Sequence, residues 1–136
     1  MTLAIIANPI KYEVKEHFIA AMHWAEKAGV TVYVKDHLCR ELHVETSEHV
    51  NRVSSSEEAI RSGDFTLVLG GDGTILHVAA LAMHHKKPIL GVNSGRLGFM
   101  ANTQKENLEY ALNCLLEGNF TLDSRHFLQA ETHDGN

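Results

Sequence analysis

The chain has 136 residues, 44% hydrophobic and 21% charged, which describes one ordinary globular domain and excludes wholesale disorder. Twelve Lys and Arg against seventeen Asp and Glu give a formal charge of −5, so no general field draws nucleic acid or anionic lipid. Cys39 and Cys114 are too few for a disulfide framework and lack a metal-ligand spacing, and every apolar run falls short of the ~18 residues of a membrane span.

Leu3-Ala4-Ile5-Ile6-Ala7 is a short apolar run closed by Asn8-Pro9, the pattern of a buried strand in a parallel sheet. The start lacks the basic and long apolar regions of a signal peptide, so a cytoplasmic protein is expected. Val14, Phe18, Ala21, Met22 and Ala25 then form a helical stripe, stopped at Gly29. Val30 to Val34 is β-branched and aromatic and predicts a second strand. From about Asp36 to Ser56 the chain is polar and weakly periodic, a connection with a short helix. Ser55-Ser56-Glu57-Glu58 offers caps for a helix ending at Gly63.

Phe65 to Leu69 is the clearest buried strand, and it runs into Gly70-Gly71-Asp72-Gly73-Thr74. Ile75 to Met83 is apolar almost all round, predicting a helix buried on most faces. His84, His85, Lys86 and Lys87 place cations at its carboxyl end, where the helix dipole favours them. Pro88 stops that helix before a strand from Ile89 to Val92. The second glycine-rich loop follows, Asn93-Ser94-Gly95-Arg96-Leu97-Gly98-Phe99. Thr103 and Glu106 have capping-box spacing, ahead of a stripe of Leu108, Ala111, Leu112, Leu115 and Leu116 that ends at Gly118. Phe120 to Glu131 alternates loosely, as a strand would. The chain then ends in His133-Asp134-Gly135-Asn136, where Asp-Gly signals a hairpin turn with no strand after it. This suggests one domain of a larger protein.

Alternating strands and helices predict an α/β fold, a doubly wound, Rossmann-like parallel sheet with flanking helices. Ligands of such sheets sit beyond the carboxyl ends of the strands, which is where both glycine-rich loops fall. Three glycines in four positions let a backbone approach a ligand closely, and a helix start offers free N–H groups to a phosphate. The loop is neither a Walker loop, lacking the Lys-Ser/Thr pair, nor the dinucleotide fingerprint, having Leu76 in place of the third glycine. Asp72 inside a phosphate cradle can take a proton from an attacking hydroxyl, hold a divalent cation, or simply cap the helix. The histidines are scattered without a metal constellation, so no metal-ligand set is assigned.

Gly70-Gly71-Asp72-Gly73-Thr74 resembles the GGDGT motif shared by NAD kinases, diacylglycerol kinases and phosphofructokinases. Asn93-Ser94-Gly95-Arg96-Leu97-Gly98-Phe99 is similar to the NxGxLGF signature of NAD kinases, and that second motif selects the NAD kinase family. The Ala7-Asn8-Pro9 and Ser124 to Leu128 segments also look like NAD kinase positions, less specifically.

The resemblance implies transfer of the γ-phosphoryl of ATP, or of polyphosphate in some members, to the adenosine-ribose 2′-hydroxyl of NAD, giving NADP. Asp72 matches the family's proposed general base, and a divalent cation, Mg²⁺ or Mn²⁺, would neutralise the phosphates. Gly71, Asp72, Gly73 and Thr74 match the loop approaching phosphates and NAD. His77 matches an Arg or His contacting the dinucleotide, Phe99 an aromatic against the adenine, and Asn93 shapes its loop. Gly70 is assigned to the strand exit. Partners are then small nucleotides, without nucleic acid or membrane, and the full-length protein is expected to be a homo-oligomer, dimer or tetramer.

One departure stands out: no Asn-Glu or Asn-Asp pair follows Phe99, and the family's β-rich second domain has no counterpart. Residues 1–118 are read as the α/β domain and 119–136 as the start of the connection onward, a fragment with little activity alone. The alternatives are another kinase of the GGDGT superfamily acting on a lipid or sugar hydroxyl, and a non-catalytic flavodoxin-like nucleotide-binding domain.

Overall fold

The computed structural model describes residues 1–10, 12–93, 103–122 and 124. In chain order the elements are β1 (Thr2–Ala7), α1 (Tyr12–Ala28), β2 (Thr31–Lys35), α2 (Asp36–Glu41), β3 (Val50–Val53) and α3 (Ser56–Ser62). They continue with β4 (Phe65–Gly70), α4 (Asp72–His85), β5 (Ile89–Asn93), β6 (Thr103–Gln104), a 3₁₀ turn (Lys105–Asn107) and α5 (Leu108–Glu117). The strands form one sheet in the order β3-β2-β1-β4-β5-β6. Every pairing in it is parallel. This is the Rossmann strand order, and its direction of winding reverses between β1 and β4.

Helices cover both faces, which is why the central strands are almost entirely apolar, with Thr66 of β4 a buried polar exception. Side chains alternate along each strand. Leu3, Ile5, Leu67 and Leu69 form one cluster with Val14 and Phe18 of α1 and Leu112 of α5. Ile6 and Val68 point the other way, into a cluster with Ile60 of α3 and Ile75, Val78 and Ala82 of α4. A hydrogen bond of 2.7 Å from the Trp24 indole Nε1 to the Asn113 Oδ1 ties α1 to α5. At Gly63, which leads from α3 to β4, a Cβ would lie 2.7 Å from the Ala4 amide nitrogen. A side chain there would drive α3 away from β1. Gly29 and Gly118 follow their helices with φ of +70° and +74°, the left-handed geometry that ends a helix and costs glycine little.

Several local expectations are corrected. The 36–56 connection holds a strand as well as a helix: β3 pairs with β2 at the sheet edge, and Arg52 in it meets Asp36 of α2 at 2.7 Å. The expected helix start at Thr103 and Glu106 is displaced, Glu106 lying in the 3₁₀ turn ahead of α5. Thr103 belongs to β6, pairing with Val92, and the cap of α5 is Asn107. Helix α4 is less enclosed than its composition suggests, because Leu76 is 50% and Met83 49% exposed. The strand expected from Phe120 to Glu131 is absent at Phe120, Thr121 and Leu122, and 125–131 lie outside the described residues.

Candidate functional site

Strand β4 passes into helix α4 with a single residue between them. Gly71 is the helix cap, and its carbonyl accepts the first helical hydrogen bond from the Ile75 amide at 3.0 Å. Asp72 is therefore the first residue inside the helix, so the reading of it as an N-cap aspartate does not hold. The tight passage depends on Gly70. A Cβ on it would stand 2.9 Å from the Thr74 Cβ and 3.0 Å from its Oγ1. Thr74 thus folds back over the strand exit, in agreement with the part assigned to Gly70. Amide groups in the first turn of a helix have no partner within it, and they carry its positive dipole end.

A cavity of about 590 Å³ opens in front of that turn. Ile6, Ala7 and Asn8 line one side at the carboxyl end of β1, and Gly71 to Thr74, His77 and Val78 line another. This is the crevice at the point where the winding reverses, the place where open α/β sheets bind ligands. Its polar side chains come from Asn8, Ser56, Asp72, Thr74 and His77. The Asn8 Oδ1 accepts from the Ile10 amide at 3.2 Å, which turns the chain away from β1. Ile75, Val78 and Ala82 anchor α4 in the core, and His77 is exposed toward solvent. At the far end of α4, His85 Nε2 meets Glu57 Oε1 at 3.0 Å and fastens α4 to α3.

The candidate residues Gly71, Asp72, Gly73, Thr74 and His77 share this one cavity. Asn93 does not line it. Asn93 ends β5, is 1% exposed and lies in register with Gly70, so it stands beside the strand exit in the sheet. Phe99 and the rest of its loop, residues 94–102, lie outside the described residues. Ser56, read from sequence only as part of a helix cap, does line the cavity. Among the described residues no three His, Cys, Asp or Glu are grouped to hold a metal ion. No described helix is long and apolar enough to cross a membrane.

A second cavity, about 450 Å³, lies between α1 and the segment from His43 to Val50. Val50 begins β3, so this cavity sits toward the amino ends of the strands, away from the edge where such sheets bind ligands.

Comparison with known proteins follows the same lines. The family model of the ATP-NAD kinase N-terminal domain matches residues 3–120. An NAD kinase of Corynebacterium diphtheriae is 42% identical over 85 residues, covering 62% of this chain and 27% of that protein. An NAD kinase of Acetivibrio thermocellus is 34% identical over 128 residues, covering 94% of this chain and 43% of that protein. The chain therefore spans less than half the length of these relatives. Yeast NADH kinase, solved in complex with NADH, superposes with a TM-score of 0.74 at 19% identity, over 88% of this chain and 38% of that one, a likeness of fold.

Proposed function

The chain belongs to the ATP-NAD kinase N-terminal domain family, and from that premise we propose that it is the catalytic-loop domain of an enzyme that phosphorylates the adenosine-ribose 2′-hydroxyl of NAD with ATP. The observation that carries the proposal is the shared cavity: one carboxylate, Asp72, stands beside a glycine-bounded helix start at the crevice of the sheet.

Each part of that arrangement has a use in the reaction. An alcohol is a weak nucleophile, and a carboxylate within hydrogen-bond reach accepts its proton as the C–O–P bond forms. Asp72 is the residue for that step. The 2′-oxygen attacks the γ-phosphorus, the bond to ADP breaks, and the proton passes to Asp72 and then to water. The remaining catalysis is positioning and charge neutralisation. The amide groups of Gly73 and Thr74 face phosphoryl oxygens, and His77, one turn further along α4, contacts the dinucleotide. By the resemblance, Asn93 is assigned to shaping the second loop and Phe99 to contact with the adenine. A divalent cation, Mg²⁺ or Mn²⁺, when bound, neutralises the transferring phosphate. With Asp72 the one carboxylate among the described residues that line the cavity, such an ion would be held chiefly by substrate oxygens, the usual habit of Mg²⁺.

The α/β domain is taken as residues 1–118, a boundary supported by α5 ending at Glu117 with Gly118 as its cap. The remaining NAD contacts are assigned to residues outside this domain. The whole protein is read as a cytoplasmic homo-oligomer that binds nucleotides.

A coupled assay for NADP formation with the full-length protein tests the reading. Wild type converts NAD with ATP, and Asp72→Ala and Asp72→Asn lose several orders of magnitude in kcat. Full activity of Asp72→Ala rejects the general-base role. Phosphorylation of a lipid or sugar hydroxyl instead of NAD rejects the substrate.

A further inference from the structure

Three serines in a row, Ser54, Ser55 and Ser56, lead into α3, and the fold uses two of them. Ser55 Oγ accepts from the Glu58 amide at 3.1 Å. The Glu58 carboxylate reaches back to the Ser54 amide at 3.2 Å and the Ser54 hydroxyl at 2.9 Å. Together these bonds satisfy the start of the helix. The Ser56 hydroxyl makes no hydrogen bond to any described residue. It stands instead on the wall of the Asp72 cavity.

Its position is well held. On one side is the Ser55 cap; on the other, Glu57 is fastened to His85 at the far end of α4 at 3.0 Å. Glu58 is occupied by Ser54, and Glu57 by His85, so neither carboxylate of that turn is on the cavity wall. Of the cavity's polar side chains, Asp72 offers an anion and Asn8 has its carbonyl oxygen engaged with the Ile10 amide. Ser56 adds a neutral hydroxyl donor whose place is set and whose bonding is unspent.

We propose that Ser56 is a ligand-positioning residue, its hydroxyl donating a hydrogen bond to a phosphoryl oxygen of a nucleotide bound in the Asp72 cavity. The inference rests on the functional reading above and extends it to a residue from α3. The phosphoryl oxygen belongs either to the triphosphate of the donor or to the pyrophosphate of the dinucleotide. A hydroxyl given to a charged oxygen is worth roughly tenfold or more in affinity. Such a residue acts on binding and leaves the proton transfer at Asp72 in place.

The test uses the full-length protein with Ser56→Ala, Ser56→Thr and Ser55→Ala, each measured by calorimetric titration of ATP and of NADP, by KM and kcat, and by chemical denaturation. Ser56→Ala weakens one of the two ligands roughly tenfold or more at an unchanged denaturation midpoint, and Ser56→Thr recovers the affinity. Weaker ATP binding with a raised KM for ATP identifies the donor triphosphate; weaker NADP binding with a raised KM for NAD identifies the dinucleotide. Ser55→Ala behaves oppositely, with a lowered midpoint and unchanged affinities. Unchanged affinity of Ser56→Ala for both ligands, or a midpoint lowered as in Ser55→Ala, overturns the proposal. A wild-type protein that binds nucleotides without forming NADP would overturn the kinase reading while leaving the titrations to judge Ser56.

Discussion

Gly73 separates what the fold requires from what a ligand requires. It is the second residue of α4, and a Cβ added to it meets nothing within 4 Å. Its backbone is helical, so alanine is conformationally admissible. Glycine inside a helix is less favourable than alanine by roughly 0.5–1 kcal/mol, so Gly73→Ala should gain about that much stability and raise Tm by about 2–4 °C. Nothing in the fold therefore explains a glycine here. Gly73 lines the Asp72 cavity, and the added methyl would occupy the space proposed above for a phosphate at the helix start. We expect kcat/KM for NADP formation to fall at least roughly tenfold in a protein that is no less stable than wild type. Gly70→Ala is the counterpart. Its Cβ would press on Thr74 at 2.9 Å, and overpacking of that kind costs about 1–3 kcal/mol. Thermal and urea denaturation read the first quantity, and the coupled assay the second. An alanine at position 73 that leaves activity intact would refute the assignment, and one that lowers stability would refute the reading of open space.

Thr66 is fully buried in β4, and its Oγ1 has no hydrogen-bond partner among the described residues. Thr66→Val keeps the shape and removes the orphan hydroxyl, so urea denaturation should show a gain of up to about 1 kcal/mol. Asn113→Leu leaves the buried Trp24 indole N–H unpaired and should cost about 1–3 kcal/mol. The single Trp makes the consequence visible as a changed fluorescence spectrum in the folded protein. Hydrogen bonds from the Thr2 amide hold the Asp64 carboxyl below its ordinary value of 3.8, and bonds from Ser54 hold Glu58 below 4.5. Both folded pKa values are depressed. Their contribution is complete above the ordinary carboxylate range and is lost as pH falls through the folded values. Asp64→Asn with Glu58→Gln should accordingly flatten the acid limb of a stability–pH curve, lowering stability near neutrality and leaving it unchanged in acid.

Elements whose composition matches their surroundings were legible from sequence. β1 and β4 are largely apolar runs because helices cover both their faces, and α1 carries its stripe because only one side of it meets the sheet. β3 was not legible: Asn51 and Arg52 are exposed in a four-residue edge strand, so no apolar alternation marks it. β6 is two residues long, and its pairing depends on Val92 and Asn93 being nearby in space. The spacing of Thr103 and Glu106 suited a capping box, but sheet pairing claimed Thr103 first. At the site, Gly71 to Thr74 and His77 could be grouped because helical spacing alone puts them on one turn and the next. Ser56 could not, because its place on the same cavity wall depends on the order of the strands, which periodicity does not contain.

The crevice has no existence apart from the sheet. Its walls, Asn8 after β1 and Gly71 after β4, become neighbours only when Leu3 registers with Phe65 and Ala7 with Leu69. β2 and β3 lie between them in the chain, so this is a non-local closure that carries the entropy cost of a long loop. A nucleotide spanning both walls binds the closed form and not the open one. It must then stabilise the β1–β4 seam by mass action and slow amide exchange along those two strands before any other part of the domain.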